Sequence, residues 1–166
     1  MRPIAALIIV AMATPGFAQD GCANPKWKLE KEHSLLTSPS AAKTANGAEV
    51  AGLPATALML NLAPSASAKM PMRPERAPKQ PSAYAGYVRF TGAPKSQTVL
   101  VTLSAEAWID MVQNEHYVKS AAFSSLYECA TMRKSVRFEL APGPFAVQLS
   151  GVAAETINMT VTPAGE

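Results

Sequence analysis

Residues 134–162 read KSVRFELAPGPFAVQLSGVAAETINMTVT. Apolar and polar side chains alternate in three parts of this stretch, and the apolar sets are Val136, Phe138 and Leu140; Phe145, Val147 and Leu149; and Ile157, Met159 and Val161. A period of two predicts three half-buried antiparallel strands. Pro142 and Gly143 suit the central positions of a tight turn between the first two strands. We therefore predict a hairpin extended by a third strand, a meander whose apolar face other strands must cover.

Further alternating stretches upstream supply those strands. They are residues 58–62, 87–90, 99–103, 107–112 and 116–118. About eight short strands with turns between them predict two packed antiparallel sheets, so the expected class is all-β and the architecture a β-sandwich or jelly roll. Residues 19–52 carry no clear periodicity, and we expect an irregular N-terminal segment there.

The first 18 residues have the pattern of a secretory signal peptide. Arg2 gives a positive start, residues 4–13 form an apolar run too short to span a bilayer, and Gly16 and Ala18 place small residues before a cleavage site. Removing 18 of the 166 residues would leave 148, which suits a single domain. A second apolar run of membrane-spanning length does not follow. The expected location is the periplasm or the extracellular space.

Charge and cysteine content narrow the expectations further. The formal net charge is +3, and the basic residues are scattered, so we expect no nucleic-acid partner. Cys22 and Cys129 are the two cysteines, and an even count in an exported chain predicts a disulfide between them.

The segment from residue 63 to residue 81, APSASAKMPMRPERAPKQP, has an unusual composition. Its proline density excludes a helix interior or a strand ladder, which predicts an exposed, partly extended loop. The loop is basic, so it could bind an acidic protein partner. Met70 and Met72 provide two thioethers within it, and thioethers suit Cu(I).

Asp110 is the unusual polar residue of the predicted strands, because it alternates in phase with Trp108 and Val112. A carboxylate on a core face would need hydrogen bonds or a cation. We predict a structural role for Asp110. Its candidate cationic partners are Arg133, Lys134 and Arg137.

The second half of the chain resembles a known group of proteins. The stretches that carry the resemblance are AWIDMV at residues 107–112, the lone Cys129, MRKSVRFELAPGPFAVQLSG at residues 132–151 and TINMTVT at residues 156–162. They are similar to small exported proteobacterial proteins often labelled homogentisate dioxygenase-like, over roughly residues 84–163. The strand order also resembles, more loosely, β-sandwich modules of secreted peptidases. In the first group histidines precede the cysteine, whereas this chain has FSSLYE at residues 123–128.

The resemblance implies an iron oxygenase, which needs two histidines and a carboxylate around one metal. The chain contains His33 and His116, and no His-x-Asp or His-x-Glu spacing joins either to a carboxylate. A GxSxG nucleophile motif is also missing. We therefore predict a non-catalytic exported sandwich without a cofactor that binds a partner or ligand. The alternative is a metal-dependent protein that uses iron at His33 and His116 or copper at Met70 and Met72.

Overall fold

The computed structural model describes residues 22, 25–77, 83–93 and 95–165. These residues form one helix and twelve strands, and the helix is α1 (Glu30–Thr37). The strands are β1 (Ala42–Thr44), β2 (Glu49–Val50), β3 (Leu58–Asn61), β4 (Ala63–Pro64), β5 (Tyr84–Ala93), β6 (Gln97–Leu103), β7 (Trp108–Gln113), β8 (His116–Val118), β9 (Ser120–Ser125), β10 (Lys134–Leu140), β11 (Gly143–Val152) and β12 (Thr156–Pro163).

The strands form two packed sheets, which confirms the predicted all-β sandwich. Sheet A has the order β1-β3-β12-β6-β10-β9, and sheet B has the order β2-β5-β11-β7-β8 with β4 added beside β5. The pairs are antiparallel except β1 with β3 and β2 with β5, which are parallel. The sheets are therefore mixed at these two edges, not purely antiparallel as the sequence predicts.

The main core lies between the two sheets and contains the apolar residues that the alternation predicts. From residues 134–162 it takes the three sets Val136, Phe138, Leu140; Phe145, Val147, Leu149; and Ile157, Met159, Val161. Within sheet B, the rings of Phe90 and Phe145 stack with centroids 4.8 Å apart. The alternation thus identifies correctly which side chains face the core.

The predicted meander is wrong. Strands β10 and β12 both pair with β6 in sheet A, whereas β11 lies in sheet B between β5 and β7. The turn after Leu140 carries the chain across to the other sheet, and Gly143 adopts the positive φ of 120° there. Alternation identifies which side chains of a strand point into the core, and strands of both sheets point such side chains into the same core. It cannot tell a hairpin from a crossover between sheets.

The predicted irregular segment at residues 19–52 is partly wrong, because α1, β1 and β2 lie in it. The helix packs on the outer face of sheet A, where the buried Glu32 carboxylate accepts a hydrogen bond from the Thr162 hydroxyl. Leu29 and Leu36 form a second apolar cluster there with Leu100 and Met132. Sheet A is therefore covered on both faces, by sheet B across the main core and by α1 across the second apolar cluster.

Strand β9 was missed by the sequence prediction, and it forms an edge of sheet A. Its sequence, SAAFSS, carries no charge and alternates poorly. The Phe123 side chain is 54% exposed, and the Lys26 ammonium lies 4.8 Å from its ring centroid. The Lys26 backbone N–H also donates to the Ser124 hydroxyl, so the N-terminal segment runs alongside this edge.

The predicted disulfide between Cys22 and Cys129 is confirmed. It joins the N-terminal segment to the loop between β9 and β10, and Cys129 is fully buried in the second apolar cluster. The bond therefore fixes the segment that leads into the helical cover of sheet A. Among the described residues, no helix is long and apolar enough to cross a membrane.

We predict that replacing both cysteines by alanine destabilises the fold while leaving its strand content unchanged. The disulfide closes a loop with a sequence separation of 107 residues. In the chain-entropy model such a loop corresponds to about 4 to 5 kcal/mol of unfolding free energy. Urea denaturation followed by circular dichroism measures the loss. An unchanged midpoint would contradict the prediction, and Ala153→Ser, an exposed change outside the loop that the disulfide closes, serves as the control.

Candidate functional site

The proline-rich segment forms a loop whose ends meet. We call residues 65–77 the strap. At its start the Ser65 backbone N–H donates to the Ala83 carbonyl at 2.9 Å, and just before it β4 pairs with β5. Residues 78–82 lie outside the described part of the chain. The chain therefore leaves sheet B after β4 and rejoins it at β5 beside the same place.

The strap lies against the outer face of sheet B, and its backbone is held there by side chains. The Met72 N–H donates to Gln148 Oε1 at 2.8 Å, and the Glu75 N–H donates to Asp110 Oδ2 at 3.3 Å. The Tyr117 hydroxyl donates to the Arg73 carbonyl. Backbone groups that prolines exclude from a ladder thus bond to side chains of β7, β8 and β11 instead. The loop expected at residues 63–81 is wrong at Ala63 and Pro64, which form β4. Within residues 65–77 many side chains are exposed as expected, but the backbone is anchored to sheet B. Residues 78–81 of the prediction lie outside the described part of the chain.

Asp110 is one of these anchors, and it lies on the outer face of sheet B. The core face of β7 carries Ile109 and Met111 instead. The Asp110 side chain is 2% exposed, and Oδ1 accepts a hydrogen bond from Trp108 Nε1 at 2.6 Å. Burial raises the pKa of Asp110, although the hydrogen bonds from Trp108 and Glu75 oppose that rise. The Asp110 carboxylate therefore anchors the strap, but burying its negative charge costs free energy.

The predicted cationic partners of Asp110 are wrong. Arg133 donates to the Tyr127 carbonyl, Lys134 donates to the Ala107 carbonyl at 3.1 Å, and Arg137 stacks on the Trp27 ring. The structural role predicted for Asp110 agrees with its position, but neutral N–H groups fill that role. Arg137 lies on β10 in sheet A, and the Lys134 ammonium, which reaches the Trp108 ring, donates to the Ala107 carbonyl instead of to Asp110.

Trp108 provides a further attachment for the strap. The Arg76 guanidinium lies 4.2 Å from its ring centroid, and the Lys134 ammonium lies 5.1 Å away. Burial lowers the pKa of Lys134. A partly desolvated cation over an indole ring is attracted by the ring quadrupole. Trp108 therefore stacks with one basic side chain of the strap while its N–H orients the Asp110 carboxylate.

Two cavities flank the strap, and Met72 lines both of them. The first, of 320 Å³, lies between the strap and sheet B, and we call it the strap cavity. Its wall includes Ser65, Met70, Arg73 and Ser150. The second, of 500 Å³, extends along β11 past Phe145 toward Glu115. Met72 therefore borders both cavities, and its backbone is fixed to Gln148.

The strap cavity has unpaired polar atoms in its wall. Ser150 is 3% exposed, and within the described residues its hydroxyl has no hydrogen-bond partner. The Ser65 hydroxyl is also buried and unpaired among these residues. Buried hydroxyls without partners cost free energy, so such sites are commonly completed by another molecule. The strap cavity is therefore the best candidate binding site of the described structure.

The candidate metal ligands fall into two groups. Met70 and Met72 both line the strap cavity. His33 lies on α1, outside sheet A, whereas His116 is exposed on β8 of sheet B, where Nδ1 lies 2.6 Å from the Asn114 carbonyl oxygen. The sandwich core separates these histidines. No group of three or more His, Cys, Asp or Glu side chains with metal-binding geometry occurs in the described ranges.

Sequence reasoning missed Arg73, Gln148 and Ser150 as site residues. Gln148 and Ser150 alternate with core residues of β11, which is the normal pattern of a solvent-facing row. They are nevertheless buried, because the strap covers them. The signal that could have revealed the cover is the proline-rich loop itself, since it must place its backbone groups against some partner.

We predict that Asp110→Asn changes the pH dependence of stability in a definite direction. A raised pKa means that the folded state favours the protonated acid, so ionisation lowers the stability of the wild type as pH rises above the ordinary carboxyl range. Asparagine cannot ionise. Between about pH 3 and about pH 7, the variant should therefore gain stability relative to the wild type. Urea titrations at several pH values measure this difference.

The matched control is Glu139→Gln, which neutralises an exposed carboxylate on β10. Its stability relative to the wild type should change little over the same pH range. A difference between Asp110→Asn and the wild type that stays constant with pH would contradict the prediction.

Comparisons with known proteins give no family for this chain. No family model matches it, and neither a curated protein nor a solved structure matches it significantly. Its function is therefore argued from the geometry described above.

Proposed function

We propose that this protein is an exported, non-catalytic β-sandwich that binds a small ligand in the strap cavity. The observation that carries the proposal is Ser150, which lines a 320 Å³ cavity and whose buried hydroxyl has no hydrogen-bond partner among the described residues. Ligand sites in proteins have cavities of this order, lined mainly by apolar groups with a few polar ones. The confirmed disulfide supports an oxidising compartment and therefore export.

The composition of the wall supports binding without catalysis. The described residues that line the strap cavity offer hydroxyls, thioethers and one guanidinium, and no carboxylate or imidazole lies among them. A serine nucleophile would need an adjacent general base. The strand neighbour of Ser150 in β7 is Trp108, which cannot supply one. Ser150 therefore suits hydrogen bonding to a ligand and lacks a partner for nucleophilic attack.

The expected partner protein for the basic loop is less well supported by this arrangement. Lys69, Arg73 and Arg76 have exposed surface, but Arg76 stacks on Trp108 and the strap backbone is fixed to sheet B. A partner that needed the strap in an extended, detached form would have to break these contacts. Ligand binding beneath the strap requires no such change.

The proposal is tested by screening a library of neutral, acidic and basic fragments by ligand-detected NMR. Hits are then mapped on the ¹⁵N-labelled protein. We expect amide shifts concentrated at Ser65, Ala68, Met72 and Ser150. Ala68→Phe, which fills the cavity from the strap side, should abolish the hits, whereas Ala154→Phe on the exposed β11–β12 connection should not. An absence of hits, or shifts that map elsewhere, would refute the proposed site.

A copper-binding protein is the second candidate, because Met70 and Met72 line one cavity. Thioethers are soft ligands that select Cu(I). Two of them make a weak site, and the guanidinium of Arg73 in the same wall disfavours a cation. Anaerobic titration with a Cu(I) acetonitrile complex tests this candidate without reducing the disulfide. One bound copper that is lost in Met70→Leu and Met72→Leu would favour it over the leading proposal.

The iron oxygenase that the sequence resemblance implies does not fit the residues present. A facial triad needs two histidines and a carboxylate on one metal, and His33 and His116 lie on different layers of the sandwich. After anaerobic exposure to Fe(II), we predict substoichiometric iron and no oxygen uptake with homogentisate. Metal analysis and an oxygen electrode measure these quantities. One iron per chain and turnover abolished by both His33→Ala and His116→Ala would overturn the prediction.

A further inference from the structure

The polar groups in the strap cavity restrict the chemistry of its ligand. Arg73 is the single charged residue among the described residues of its wall, and its guanidinium can only donate hydrogen bonds. The hydroxyls of Ser65 and Ser150, which have no hydrogen-bond partner in the described part of the chain, can donate as well. A ligand that satisfies all three groups must present acceptor atoms, and negative charge on those atoms would favour the Arg73 side chain most.

The rest of the wall requires an apolar body. Ala68, Met70, Met72, Pro74 and Ala85 contribute aliphatic or thioether surface to the same cavity. Thioether side chains adapt to ligands of varied shape. An inorganic phosphate would leave most of this surface without contacts, whereas an organic anion would cover it. The volume of 320 Å³ limits the ligand to a small molecule.

The backbone at Arg73 is already ordered for such a contact. Its carbonyl accepts the hydrogen bond from Tyr117, and the neighbouring Met72 N–H is bound to Gln148. Neither bond uses the guanidinium. The residue is thus positioned by its main chain, and its planar fork matches the two oxygens of a carboxylate. Little backbone entropy remains to be lost there when a ligand binds, and the entropy cost falls on the exposed Arg73 side chain.

We propose that the strap cavity binds a small organic carboxylate with an apolar body, whose carboxylate pairs with Arg73 and accepts hydrogen bonds from Ser65 and Ser150. This inference rests on the proposed function, because it assigns a ligand class to the same cavity. Arg73 determines specificity by charge and fork geometry. Met70 and Met72 pack against the apolar part of the ligand.

The test uses four probes on the full mature protein: cyclohexanecarboxylate, its neutral analogue cyclohexanecarboxamide, cyclohexylmethylamine and inorganic phosphate. Calorimetry and ¹⁵N amide shifts report binding and its place. We expect the carboxylate to bind at least about tenfold more tightly than the amide, since its bonds to Arg73 are charge-assisted. The amine and phosphate should not shift Ser65 or Ser150.

Two basic residues of the strap provide a matched pair of variants. Arg73→Gln should weaken carboxylate binding about tenfold or more and leave amide binding unchanged. Lys69→Gln removes the same charge from an exposed side chain outside the cavity wall, so it should leave carboxylate binding nearly unchanged. Ser150→Ala should weaken carboxylate binding less than Arg73→Gln does.

The outcomes separate this inference from the proposed function. If the amide and the carboxylate bind equally at the cavity, the ligand class is wrong while the binding site stands. If Arg73→Gln and Lys69→Gln weaken binding equally, the attraction belongs to the basic strap in general, and the assigned role of Arg73 is wrong. If neither these probes nor the fragment library shifts the cavity amides, both proposals fail.

Discussion

Strand β11 is buried on both faces, so other parts of the structure must cover each face. Phe145, Val147 and Leu149 fill the core on one side. On the other side Gln148 and Ser150 are as inaccessible as core residues, although their side chains are polar. A buried polar row needs partners, and the strap supplies one of them, the Met72 N–H that donates to Gln148, while the Ser150 hydroxyl has no partner among the described residues. The hydrogen bond from Met72 to Gln148 thus connects the loop of unusual composition to the centre of sheet B.

The two covers of the sandwich differ in chemistry. Helix α1 adds an apolar cluster to sheet A, and a disulfide secures that cluster. The strap covers sheet B mainly with hydrogen bonds and a cation over an indole ring, around two cavities. Apolar contacts are lost when such an interface opens, whereas hydrogen bonds can be exchanged for bonds to water or a ligand. The apolar contacts of the helical cover are therefore harder to replace. The hydrogen bonds of the strap are easier to exchange for contacts with other molecules.

Much of the core could be predicted from alternation alone, because the period of two places Val136, Phe138 and Leu140 on one face whichever sheet they join. The sheet to which a strand belongs could not be predicted. The same four-residue turn can close a hairpin or cross a core about 10 Å thick, and the choice depends on contacts with distant strands. The candidate site could not be predicted from the sequence for a related reason. Gln148 and Ser150 acquire their burial from residues about eighty positions earlier, and local sequence carries no trace of that contact.

The edge strand β9 gives the disulfide a consequence for the handling of the protein. An uncharged edge with an exposed phenylalanine is a template for pairing with another chain, and charged residues close to such an edge oppose that pairing. Lys26 is the charged residue at this edge: its N–H binds Ser124 and its ammonium lies over Phe123. Lys26 is four residues from Cys22, so the disulfide keeps this lysine at the edge of β9. In protein produced in a reducing compartment, Lys26 would no longer be held at this edge. Self-association through β9 would then compete with folding.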